Sequence, residues 1–411
     1  MLRLIFLSQA ILYLLIMPAV HDYMDIVYRP PLGVAALAII SLLAGFALFN
    51  RSYVGKPVGA VADALPDLKP RNIVLAGFAV FAILYAYVSY TNGLLNRRQG
   101  SEAMADIYGN LPLIELLILR VYEIAFVPIA VIFFFSRSSL ASRLSIAAIL
   151  ILSLPFMGIQ DSRARILVMA ITLLSFVKAK DFIVFFYKNT KIYVLMAVAV
   201  GIFVFMSVRR ASSYARLEDY FFIEVVKRLD GLNLVTELRD YGLLNYLGSF
   251  DMKMFGPLIS KIPFLEAGRI AKIEGLTSTK QYFLKTVLNS SRIDDSNSII
   301  LDPLYFGGIV GMIIAFVGLG YFIARSDRYI AEGRLFSSYA GLAAALAFVT
   351  SFSVIETDFI TGIINFAQNV VLLFALVLVV MTRPTYRKAV QGVTDIGASA
   401  ALATRPRSLA P

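Results

Sequence analysis

The residues best equipped for chemistry in this chain are arginines. Arg163 and Arg165 stand with Asp161 in a short polar gap, "GIQDSRAR", between two apolar runs. Arg97 and Arg98 lie in "NRRQGSE", and Arg209, Arg210 and Arg216 in "VRRASSYARLEDY". A guanidinium presents a fixed fork of donors that matches two phosphate oxygens at once, and it stays charged when partly dehydrated. Several converging would hold a diphosphate group. Taken singly, each is equally well read as an anchor for one helix end. Carboxylates near them could take a proton from a hydroxyl. The candidates are Glu102 beside Arg97 and Arg98, Glu218 and Asp219 beside Arg216, and Glu356 and Asp358 further on. For each, a salt-bridged surface carboxylate is the competing reading.

Other chemistries are excluded by what the chain lacks. It has no Cys, hence no disulfide, thiolate ligand or cysteine nucleophile, and a single His, His21. Mechanisms that need two histidines are out. No spacing suggests a metal-ligand set; Asp294 and Asp295 are adjacent and would diverge on a helix. No metal and no cofactor are expected.

The elements that must position these groups are membrane helices. The chain is 59% hydrophobic and 16% charged, with a mean hydropathy of +0.77. Crossing a bilayer takes roughly 20 apolar residues. Runs of that kind fall near 4–20, 31–49, 73–90, 113–135, 144–159, 166–177, 192–208, 299–323, 336–355 and 362–381. The expected fold is an all-α polytopic membrane protein with about ten transmembrane helices and one large helical external loop. Its parts are a first bundle (1–208), the loop (209–298), the C-terminal helices (299–382) and a disordered cytoplasmic tail (383–411).

Charge gives the orientation. With the N-terminus inside, 19 Lys and Arg fall in cytoplasmic segments and five in the short outside loops. That bias sets both termini in the cytoplasm. Most of the net charge of +11 is therefore a topology signal rather than a nucleic-acid footprint. The five outside residues are Arg29, Arg97, Arg98, Arg163 and Arg165, all arginine on the disfavoured side. The loop 209–298 carries 13 Lys/Arg and 11 Asp/Glu. Its stretch "FFIEVVKRLDGLNLVTELRDYGLLNYL" (221–247) has apolar residues at helical spacing and reads as one or two amphipathic helices.

This arrangement resembles the Wzy-type O-antigen and exopolysaccharide repeat-unit polymerases, which share a superfamily with the O-antigen ligases. The resemblance covers roughly residues 1–385 and lies in topology: ten or more helices, a large periplasmic loop in the second half, and functional arginines outside. Locally it rests on "GIQDSRARILVMAI", "RRASSYARLEDY", "DDSNSIILDPLYFGGIVGM" (294–312) and an Arg98–Gly109 pair that matches an arginine–ten residues–glycine spacing.

The resemblance implies an inner-membrane glycosyltransferase whose active face is periplasmic. A sugar hydroxyl of one polyprenyl-diphosphate-linked oligosaccharide attacks the anomeric carbon of another, and polyprenyl diphosphate leaves. Its implied partners are that lipid-linked glycan, the bilayer, a chain-length regulator and a flippase, with no nucleic acid. The seven arginines would bind the diphosphate and stabilise its charge. The ligases carry a functional His in the large loop; residues 209–298 contain none, which favours polymerase. His21 then reads as a membrane-interface residue. A transporter or flippase would also use ten helices, but no pair of similar halves with broken helices is visible.

Arg120 and Glu123 stand three apart within an apolar run and can pair on one helix face. With Tyr214 they are candidates for lining the lipid-diphosphate cavity. Gly307, Gly311, Gly318 and Gly320 are expected to allow close helix packing, and Asp302, before Pro303, to cap a helix.

Overall fold

A computed structural model describes residues 2–52, 67–70, 72–93, 111–135, 222–227, 229–244, 246–247, 299–331, 339–352 and 359–385, with scattered positions at 145, 146, 148, 149, 152 and 218. Long apolar runs become long helices because, once shielded from water, a backbone must satisfy its own hydrogen bonds. In chain order these are α1 (Leu2–Met24), α2 (Leu32–Ser52), α3 (Asn72–Thr91) and α4 (Leu113–Phe135). A short α5 (Asn233–Asp240) follows from the long polar region, then α6 (Leu301–Ala331), α7 (Tyr339–Phe352) and α8 (Phe359–Val380). Among the described residues, α1, α2 and the stretch Leu301–Tyr329 of α6 are each long and apolar enough to cross a membrane. Shorter apolar stretches of the same kind lie in α3, α7 and α8. The protein is a helical membrane-embedded chain. The expected helices at 166–177 and 192–208, and nearly all of 144–159, lie outside the described residues.

One small departure from helix is an antiparallel ribbon of β1 (Asp67–Pro70) and β2 (Met381–Thr385), with Asp67 opposite Thr385 and Pro70 opposite Met381. It ties the start of α3 to the end of α8, and it pairs Pro384 and Thr385, which the sequence assigns to the tail.

The centre of the structure is the crossing of α2 on α6. Gly45 and Gly320 meet there. A Cβ on Gly45 would fall 2.8 Å from the Tyr321 backbone nitrogen and 2.9 Å from the Gly320 Cα, and one on Gly320 would strike the Leu42 carbonyl. Gly320 therefore does what the sequence suggests, with Gly45 as its partner. Around Gly307 and Gly318 there is open space, so close packing does not explain them. At the α3–α4 contact Tyr122 is buried, stacked on Tyr85 at 4.4 Å and on Phe78 at 5.4 Å between ring centroids.

Charged and polar groups gather at the helix ends. At one end the Leu2 amide donates to Asp327 Oδ1 (2.8 Å), while Arg3 donates to Asn50 Oδ1 (2.8 Å) and to the Ala324 carbonyl (3.1 Å). Arg3 also pairs with Asp327 at 3.4 Å. At the other end Asn92 donates to Glu115 Oε2 (2.7 Å), joining the end of α3 to the start of α4.

Two helices are irregular. In α1 the turn Leu12–Ile16 is widened to a π-helix, so the Met17 amide bonds to the Leu12 carbonyl. The Tyr13 carbonyl would then look to residue 18 for its donor, but residue 18 is Pro and has no N–H. In α6 the helix kinks at Gly308, where φ is 60° and ψ is −159°. That region is open to glycine and to almost nothing else.

Candidate functional site: a buried His–Asp–Tyr cluster

Residues 222–247 come from the middle of the region expected to form an external loop, yet they are built into the helix ends. The segment is a helix interrupted: a π-helical piece (Phe222–Lys227), a break at 230–232, then α5. The break follows from "LDG", since Asp–Gly is a turn-forming pair. Leu232 donates its N–H to Asp230 Oδ1 (2.8 Å) and Asn233 donates to the Asp230 carbonyl (3.3 Å), which closes the turn. Val226, Leu232, Leu234, Val235 and Leu238 are buried, the last four in one core with α1, α2 and α6.

The break carries charge into that core. His21, in the last turn of α1, and Asp230 are 3% and 0% exposed, and His21 Nδ1 donates to Asp230 Oδ2 at 2.7 Å. Tyr28, from the link between α1 and α2, stacks on the His21 ring at 3.8 Å, and Phe222 closes its edge at 5.3 Å. The Tyr28 hydroxyl also hydrogen-bonds Asp230 and receives a 3.3 Å contact from Thr236 Oγ1. Burial first, and then the Asp230 carboxylate, push the Tyr28 hydroxyl well above the ordinary tyrosine range, so it stays protonated and donating. Asp230 thus has three donors: an imidazole, a phenol and a backbone amide. A buried carboxylate needs such partners.

The arrangement fixes the imidazole. With Nδ1 committed to a carboxylate and one ring face covered by Tyr28, Nε2 is the nitrogen left for other partners. At the end of α1, His21 is therefore buried within the protein and held by Asp230 rather than exposed at its surface. The long region brings no histidine of its own, but folds its carboxylate onto one from α1. Neither Asp230 nor Tyr28 stands out in the sequence. The usable signal is the Asp–Gly break amid an otherwise helical pattern, together with a single His at a helix end.

The sequence candidates stand elsewhere. Arg97, Arg98, Arg163, Arg165, Arg209, Arg210, Arg216, Glu102, Asp219 and Tyr214 lie outside the described residues. Glu218 is helical and exposed. Arg120 and Glu123 fall within α4, with their side chains outside the described set. Asp302 is fully buried in the first turn of α6, next to the buried Ile299 and Ile300. Among the described residues there is no group of three or more His, Cys, Asp or Glu that could hold a metal.

Comparison of the chain with protein-family models, with curated proteins and with solved structures finds no match to any of them.

Proposed function

We propose that this protein is a membrane glycosyltransferase of the repeat-unit polymerase type. It would join polyprenyl-diphosphate-linked oligosaccharides at the outer face of a bacterial inner membrane, with both termini cytoplasmic. The observation that carries the reading is that residues 222–247 are seated in the helix ends rather than held away from them. Arg216 is six residues from Phe222, so at roughly 3.5 Å per residue it stays within about 20 Å of that anchored point. Arg209 and Arg210 follow within about 45 Å on the same estimate. Guanidinium groups so tethered are available to a lipid diphosphate whose tail lies among the helices. They would stabilise the charge that grows on the leaving diphosphate.

The second reading is the ligase reaction, in which finished glycan passes to a lipid acceptor. It is favoured by His21, because the long region does have a histidine bound to it through Asp230. Gene deletion separates the two. Loss of a polymerase leaves single repeat units on the surface lipid; loss of a ligase leaves none, with lipid-linked chains accumulating. Wild-type surface glycan after deletion would remove both readings and leave transport. The direct test is purified protein with a synthetic polyprenyl-diphosphate oligosaccharide. A ladder of products supports the polymerase, and unchanged substrate counts against it.

A further inference from the structure

We infer that residues 222–247 form a re-entrant strap, which enters the membrane domain to about the mid-depth of α1 and leaves on the same side. Two observations carry this, one at the break within the segment and one at its end, and each is a backbone hydrogen bond to an irregular point in a membrane helix. The Gly231 N–H donates to the Tyr13 carbonyl at 2.9 Å. That carbonyl lies in the widened turn, where the Met17 amide is given to Leu12 and residue 18 is a proline with no N–H. The Ile309 N–H donates to the Tyr246 carbonyl at 2.9 Å. That amide follows the Gly308 kink, where the helix cannot supply its usual acceptor. A polar backbone group buried without a partner is costly, so each irregularity is tolerated only because the strap completes it.

Depth follows from the same bond. Tyr13 is the twelfth of the 23 residues in α1, and eight residues before His21. At about 1.5 Å per residue, its Cα lies roughly 12 Å inward of His21 and about 16 Å from either end of the helix. A bilayer's hydrocarbon core is about 30 Å thick, so Gly231 sits near its middle. The direction of travel is set by three contacts: Phe222 against His21, Gly231 against Tyr13, and Thr236 against the hydroxyl of Tyr28, whose ring is stacked back on His21. The chain goes in and comes back out. Irregular backbone at that depth is allowed only when protein surrounds it, as the burial of Asp230 and Leu232 requires. The inference is independent of which reaction the protein catalyses. It makes His21 and Asp230 a polar cluster built into the end of the helix bundle, covered by Tyr28 from the α1–α2 link, rather than part of a separate external domain.

The test exploits the absence of cysteine in the native chain. Tyr13→Cys with Gly231→Cys, and Tyr246→Cys with Ile309→Cys, are introduced into the full-length protein and oxidised in native membranes. A protease site engineered between the two cysteines of each pair reports whether the fragments stay joined without reductant. For both pairs, more than half of the chain should remain joined. The control Leu4→Cys with Gly231→Cys, at the far end of α1, should stay at background. Absence of joining at 13 and 231 in inserted protein, with or without joining at 246 and 309, overturns the strap. A photo-reactive phenylalanine analogue in place of Tyr13 covers the case in which cysteine at 231 disturbs the turn. It should capture residues 229–232, and capture of lipid alone would sink the proposal.

Discussion

Changing Gly320 to alanine, with Gly318→Ala as its neighbour control, isolates the contact on which the α2–α6 crossing depends. At Gly320 a new Cβ meets the Leu42 carbonyl, and at Gly45 one meets the Tyr321 nitrogen at 2.8 Å, where ordinary contact begins at 3.4 Å. The helices must separate by about 0.6 Å or more. Overpacking of that kind costs about 1–3 kcal/mol, and a gap of 0.5–1 Å forfeits a quarter to a half of each facing dispersion contact. Alanine returns about 1 kcal/mol through its better helix propensity. Gly320→Ala should therefore destabilise by up to about 2 kcal/mol. Gly318→Ala, with nothing within 4 Å, should be neutral or stabilising by up to about 1 kcal/mol. Gly45→Ala combined with Gly320→Ala should cost less than the sum, because one separation relieves both clashes. The chain has neither Trp nor Cys, so tryptophan fluorescence and thiol dyes are of no use. Survival of a monodisperse peak after heating a fluorescent fusion is the suitable assay. Equal stability of Gly318→Ala and Gly320→Ala, or an additive double variant, would show that the close approach is not what limits this crossing.

Other outcomes follow from the same structure. His21→Ala should destabilise by about 3–5 kcal/mol by leaving Asp230 buried and short of a partner, whereas His21→Phe with Asp230→Leu should recover most of that, read by the same heating assay. Pro18→Ala supplies the Tyr13 carbonyl with a competing intrahelical donor, so cross-linking of Tyr13→Cys to Gly231→Cys should slow several-fold; an unchanged rate would remove Pro18 from the account. Gly308→Leu should cost about 1–3 kcal/mol from its backbone angle alone. Because the Tyr28 pKa is raised in the fold, the unfolded chain binds fewer protons above about pH 10. Stability from that hydroxyl is whole below pH 10 and lost as pH climbs beyond it, at up to about 1.4 kcal/mol per unit. Tyr28→Phe should flatten the alkaline loss. Arg163→Ala, Arg165→Ala and Arg210→Ala should each strongly reduce glycan chain formation while insertion persists, with lysine restoring it only in part.

The helices were legible because length and hydropathy are local properties. The run 113–135 and α4 share both boundaries, the run at 73–90 falls within α3, and that at 31–49 begins one residue before α2 and ends inside it. What could not be read was anything that depends on a partner far along the chain. Asp230 looks like one more charge on an amphipathic helix until His21, 209 positions earlier, is placed beside it. The widened turn in α1 shows in the sequence only as Pro18, which by itself equally well marks a kink. Four glycines in and beside the α6 sequence invited the same explanation, but spacing does not tell which faces another helix. Gly320 does, whereas Gly308, the one that bends the chain, was not among them. The arginines carry the functional reading because their chemistry is visible in the side chain itself.

The Pro18 turn also bears on how the molecule is assembled. α1 leaves the ribosome more than two hundred residues ahead of Gly231, so its mid-helix carbonyl must wait in lipid through the synthesis of every intervening segment. An isolated α1 does best with an ordinary proline kink, which spreads the loss over neighbouring turns. The widened turn becomes worthwhile only when the late donor arrives. This early helix would thus be among the last to take its final shape, and ribosome-stalled chains ending before residue 231 would hold it in the earlier one.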